Sequence, residues 1–145
     1  MTELTFQQLQ ISTSLAVQIA FEYFNIKGNA TPLAGEIDFN FKITNSEKSY
    51  LLKVSRSDSA LEYLTFQDEL LKHLEQKSPD FKYPKSYRNA DNQGIFDYVD
   101  AEGSIRKVRL LEWIDGYLYS TVNPKSENLR FSLGQKCGQI TNALL

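Results

Sequence analysis

Lys53 stands in the run Tyr50-Leu51-Leu52-Lys53-Val54, where strand alternation puts it on the same face as Leu51. A long cation in the middle of a half-buried surface needs either water or an anion. One reading sets that face over a nucleotide, with Leu51 against the base and the Lys53 ammonium on the phosphates. The plainer alternative is a strand lysine that snorkels to solvent. Three features surround it: Gly35 in a turn upstream, the strand of Lys53 itself, and a downstream helix whose apolar stripe is interrupted by Gln67. The single histidine, His73, and the single cysteine, Cys137, leave no thiolate-imidazole cluster for zinc and no internal disulfide. His73 reads as structural and Cys137 as a buried thiol, so no metal ligands are assigned.

The elements that must carry these residues follow from hydrophobic period. Leu15, Ile19 and Tyr23, with Ala16, Ala20 and Phe24 beside them, recur at helical spacing after the cap-capable Ser12, Thr13 and Ser14, predicting a helix that ends near Gly28. Phe39, Phe41 and Ile43 alternate with Asn40, Lys42 and Thr44, which is the period of a strand with one buried face. Asn45 to Lys48 then forms a turn into the Lys53 strand, so these two strands are antiparallel neighbours. Ala30 to Leu33 is a weaker strand signal before them. Leu64, Leu71 and Leu74 predict a helix from Ser59 to Leu74, with Ser57, Asp58 and Ser59 available to cap it. The polar stretch from Gln76 to Gln93 reads as a connection with at most a short strand around Tyr87. Ile95 to Val99 and Ile105 to Ile114 are two strand-like runs joined by turn residues 100–103, and Leu129, Leu133, Cys137, Ile140 and Leu144 stripe a final helix. The whole is an α+β module on a five-stranded antiparallel sheet.

The chain's 145 residues and 41% hydrophobic content suit one core, and 16 Lys+Arg against 18 Asp+Glu give a formal charge of -2. No basic field is present to hold a phosphate backbone, so nucleic acid is not an expected partner. No run approaches the roughly 18 apolar residues of a membrane span, and the N-terminus lacks a basic region followed by an apolar one. A cytoplasmic protein without a membrane partner is the expectation.

Leu33-Ala34-Gly35-Glu36-Ile37-Asp38-Phe39-Asn40-Phe41, Tyr50-Leu51-Leu52-Lys53-Val54-Ser55 and Leu110-Leu111-Glu112-Trp113-Ile114-Asp115-Gly116 together resemble the aminoglycoside phosphotransferase and type II homoserine kinase family, nearest its hydroxylysine-kinase-like branch. The resemblance implies the N-terminal lobe of a protein-kinase-like fold. By it, Gly35, Glu36, Ile37, Asp38 and Asn40 belong to the phosphate-covering loop, whose backbone N–H groups would meet the anion. Lys53 matches the lysine of the α- and β-phosphates. Its partner, a helix glutamate in the family, matches Gln67 here; Glu69 lies two residues on and about 200° around the helix, which suits a solvated charge. Residues 108–116 match the strand and hinge between lobes, so that an adenine would be held by backbone groups of Glu112 and Ile114, with Leu33 and Leu51 closing one side.

The family's His-x-Asp catalytic loop, its Asn and its Mg²⁺-binding Asp have no match, since His73 is followed by Leu74 and Glu75. The resemblance therefore implies a nucleotide-binding lobe with hinge over residues 1–116 and the start of a truncated C-terminal lobe over 117–145. ATP with Mg²⁺ is expected for a full-length kinase of a small hydroxyl compound, such as an amino alcohol or hydroxylated amino acid, with none required by this chain alone. In this branch the region is sometimes fused to a class III aminotransferase. The competing expectation is a non-catalytic interaction or regulatory module, favoured by Gln67 and the single-glycine loop. Partners expected are the nucleotide, the missing lobe, and a second copy through exposed leucines of the last helix.

Overall fold

In a computed structural model, residues 11–78, 80–89 and 91–145 are described. The first element of the described residues is α1 (Thr13–Phe24), started by the Ser12 hydroxyl accepting from the Leu15 N–H at 3.1 Å. It stops at Phe24, earlier than the expected Gly28, because Asn25 turns left-handed at φ 54° and hands its N–H back to the last turn. Gly28 has a different use: a Cβ there would sit 2.6 Å from the Thr44 carbonyl oxygen, so the chain can pass this close only without a side chain.

Five strands follow: β1 (Asn29–Leu33), β2 (Phe39–Thr44), β3 (Ser49–Val54), β4 (Phe96–Val99) and β5 (Ile105–Glu112), all antiparallel in the order β1-β2-β3-β5-β4. The weak 30–33 signal is thus a full strand, and the runs 95–99 and 105–114 are slightly shorter than their hydrophobic stretches. The strand expected around Tyr87 reduces to one bridge, Ser86 to Leu111, flanked by Tyr87 N–H donating to the Leu110 carbonyl at 2.8 Å.

Alternation gives the sheet two unlike faces. Phe41, Ile43, Tyr50, Leu52, Val54, Val108 and Leu110 point one way and close on Ala16, Ile19 and Ala20 of α1. Burying each of the large aliphatics is worth about 2 kcal/mol, so this layer holds most of the fold. At its far end the buried Arg106 guanidinium donates to Asp100 at 2.7 Å, while the same carboxylate accepts from the Glu102 and Ser104 N–H groups in the β4–β5 turn.

On the other face lies α2 (Leu61–Lys77), three residues longer than expected at its C-terminal end. Its cap differs too: Ala60 occupies the N-cap position with no side-chain bond, and Asp58 instead takes both bonds of the Arg56 guanidinium. The final helix α3 (Glu127–Leu144), capped by Ser126, rests on α2 rather than on the sheet, through Ile140 and Ala143 against Leu70 and Leu74. His73 bonds the Ala143 carbonyl at 2.9 Å, a structural role as expected. Cys137, however, is exposed, because only the narrow Ile140–Ala143 edge of α3 meets another element. Among the described residues no helix is long and apolar enough to cross a membrane.

Candidate functional site

Asn40, Lys53 and Arg109 occupy one row across β2, β3 and β5, since Asn40 pairs with Lys53 and Lys53 with Arg109. Their parity sends all three toward α2. Two cations directly opposite on one face repel and require an anion between them. Asp38, just before β2, supplies it: its Oδ2 lies 3.1 Å from Lys53 Nζ and accepts from Arg109 Nη2 at 3.0 Å. Lys53 also donates to Asn40 Oδ1 at 2.9 Å, and Asn40 donates back to the Asp38 carbonyl at 3.2 Å. Gly35 permits this loop, because a Cβ on it would lie 2.3 Å from the Asn40 side-chain nitrogen.

The helix glutamine enters on the other side of the row. Gln67 Oε1 accepts from Arg109 Nη1 at 2.8 Å, so its bond goes to Arg109 and the carboxylate beside Lys53 is that of Asp38. Glu69 points away and pairs with Lys72 at the surface. Burial lowers the Arg109 pKa from its ordinary value, and the Asp38 carboxylate works against that shift; the guanidinium stays charged. The next helix residue, Asp68, is buried as well and accepts from Ser86 at 2.7 Å and from Arg88, fastening these two residues to α2.

A cavity of about 320 Å³ opens in front of this row and brings together Glu36, Ile37, Asp38, Asn40, Lys53 and Gln67, with Ser59, Tyr63 and Leu64 at its back. Leu33 and Gly35 do not line it; they border an adjoining cleft of about 550 Å³ with Ile11, Ser12 and Thr13, and Ile37, Asp38 and Asn40 line both. Leu51 lies on the same sheet face between Lys42 and Leu111, two residues along from Lys53. Beside it the Lys42 ammonium sits 4.3 Å from the centre of the Trp113 ring. Glu112 ends β5 with its N–H donated to the Lys85 carbonyl, and Ile114 follows, partly exposed. The sequence reading missed Arg109 and Asp68. Arg109 had a signal, its strand parity with Lys107 and Leu111, but the register that sets it opposite Lys53 is not written in the local sequence.

A loop-strand-helix cavity holding a strand lysine, on a five-stranded antiparallel sheet backed by helices, is the N-terminal lobe of a protein-kinase-like fold. The chain belongs to the phosphotransferase enzyme family (APH), which it matches over residues 29–144. No curated protein matches it. Among solved structures it is similar to a microcompartment-associated aminopropanol kinase (TM-score 0.62, 18% identity, 75% of this chain and 34% of that one). It is also similar to a spectinomycin phosphotransferase in complex with ADP and spectinomycin (TM-score 0.56, 13% identity, 78% and 32%). A third similar structure is an amicoumacin kinase in complex with AMP-PNP and Ca²⁺ (TM-score 0.50, 20% identity, 60% and 26%). The chain spans between about a quarter and a third of the length of these structures.

Proposed function

We propose that this chain is the ATP-binding lobe of a kinase that phosphorylates a hydroxyl group of a small molecule, with residues 1–116 forming the lobe and hinge and 117–145 opening a C-terminal lobe. The observation that carries the reading is the position of Lys53, held at the mouth of a cavity between the 36–40 loop and α2. A phosphate there would meet the ammonium and loop N–H groups, while the base would lie toward Leu51, the Glu112 carbonyl and Ile114. Leu33 closes the same side only if the loop shifts, since it now borders the neighbouring cleft. Mg²⁺ enters with the nucleotide, bound through its phosphates. The acceptor is an amino alcohol or hydroxylated amino acid, as in the hydroxylysine-kinase-like branch, and a class III aminotransferase fusion suits the same setting. The protein acts in the cytoplasm.

A second lobe, or a second copy, covers the exposed face of α3, where Leu133 and Leu144 are 43% and 46% accessible. Sedimentation over a concentration series tests the second copy; Leu133→Asp abolishes the association. Calorimetric titration with MgATP tests the nucleotide reading. Saturable binding that Lys53→Ala abolishes, without ATP turnover by the chain alone, is the expected result. Absence of binding at millimolar MgATP rejects it. That outcome favours a non-catalytic module, a reading supported by one feature: the Lys53 ammonium is already paired with Asp38.

A further inference from the structure

We propose that Asp38, in the loop, is the counter-ion that positions Lys53, and that Arg109 is the positioning residue tying this carboxylate to Gln67 on α2. The proposal rests on the nucleotide-lobe reading for its consequence but on side-chain geometry for its substance. Lys53 and Arg109 are cross-strand partners and bring two positive charges to adjacent positions of one face. A single oxygen, Asp38 Oδ2, receives both, at 3.1 and 3.0 Å. The side chains of Asp38 and Arg109 keep only 9% and 6% of their accessible surface, so neither charge is relieved by water.

A carboxylate on α2 would do this work from the helix, but Gln67 has no charge to give. What Gln67 offers is an acceptor, which Arg109 takes with its other nitrogen at 2.8 Å. Arg109 thereby bridges loop and helix through one planar guanidinium. A lysine, with its single charged nitrogen, cannot reproduce that two-sided grip. The arrangement makes the lie of the loop and the direction of the Lys53 ammonium a single setting: when Asp38 moves, Lys53 loses its counter-ion and keeps only the Asn40 amide oxygen, and Arg109 loses its bridge. The loop that would cover a phosphate thus also aims the cation that would bind it.

The test moves the carboxylate. Asp38→Asn, Gln67→Glu, the double variant and Arg109→Lys are each followed by thermal unfolding and by titration with MgATP. Asp38→Asn lowers the melting temperature and weakens MgATP binding about tenfold, the equivalent of one lost charge-assisted contact. Adding Gln67→Glu returns one negative charge to the two cations, restoring the melting temperature and bringing affinity back to within about threefold. Arg109→Lys behaves like Asp38→Asn. Unchanged or tighter MgATP binding in Asp38→Asn overturns the proposal, since the carboxylate would then compete with phosphate. If the unmutated chain binds no MgATP, the nucleotide reading fails separately. The unfolding series then decides alone: loss in Asp38→Asn and recovery in the double variant uphold the counter-ion role, and no loss overturns it.

Discussion

The two faces of the sheet are built from the same strands and do opposite things. Toward α1, the alternate residues of β2, β3 and β5 are apolar and mostly buried, apart from Arg106 and Glu112 at the two ends of β5, and the layer is held chiefly by packing that needs no particular partner geometry. Toward α2, the alternate residues of those strands include Asn40, Lys42, Lys53, Lys107 and Arg109, and beside a cavity Arg109 reaches the helix by its bond to Gln67 while Lys53 and Arg109 pair with Asp38 of the loop. The contrast teaches that stability and chemistry are segregated by strand parity. One face gives the fold its free energy, which leaves the other at liberty to hold charges that cost desolvation.

Substitutions on either face should therefore be read out in different quantities. The largest effect belongs to Leu52→Ala, which empties a fully buried site under α1 and costs roughly 2–5 kcal/mol in urea unfolding. Its neighbour across the pleat, Leu51→Ala, costs about 1 kcal/mol or less because that side chain is only partly covered. Equal costs for the two would erase the distinction.

Next is Asp100→Asn, which leaves the Arg106 guanidinium buried without its anion and costs about 3 kcal/mol. Burial raises the Asp100 pKa, but the bonds from Arg106, Ser104 and Glu102 outweigh it and leave the value below its ordinary one. Ionised Asp100 therefore stabilises the fold above a pH of about 4, and this contribution is lost as pH falls through the depressed folded-state value. In a denaturant series between pH 7 and pH 2, the Asn variant should show a shallower acid decline than the unmutated chain.

On the α2 face, Lys53→Met leaves Asp38 paired with Arg109 and changes stability by about 1 kcal/mol or less, while MgATP affinity falls at least about tenfold. A large stability loss with unaltered affinity would reverse the assignment of that face. The smallest effect is expected from Glu69→Ala, whose pair with Lys72 is exposed: within about 0.5 kcal/mol in unfolding, and none on nucleotide titration.

Much of this division could be read in the sequence because the strands obey period two. Phe39, Phe41 and Ile43 named β2 and its buried face, and Lys53 could be assigned to the face opposite Leu52 without coordinates. The helix stripe likewise turned Gln67 toward the sheet, where it is found. What stayed hidden depended on contacts between segments distant in sequence. Asp38 and Arg109 are 71 residues apart, and only the β2–β3 and β3–β5 registers together bring Lys53 and Arg109 to one Asp38 oxygen. An amphipathic helix shows that it has an inner face, not which layer receives it, so α1 could be seen but not placed. Cys137 was misread for a related reason: its stripe on α3 is apolar, yet the contact with α2 uses a neighbouring edge.

The strand order also fixes which backbone groups are left at the rims. β1 and β4 are the outer strands, each with one side of its peptide groups unpaired by the sheet. In β1 the rim is interrupted by Pro32, which has no N–H to offer an incoming strand. β4 is only four residues long and carries Asp97, whose carboxylate binds Lys107 of the adjoining strand. Neither rim presents a long, uninterrupted row of donors and acceptors of the kind that templates cross-strand polymerisation. Among the described residues, the sheet thus leaves its two rims poorly suited to pairing with a further strand.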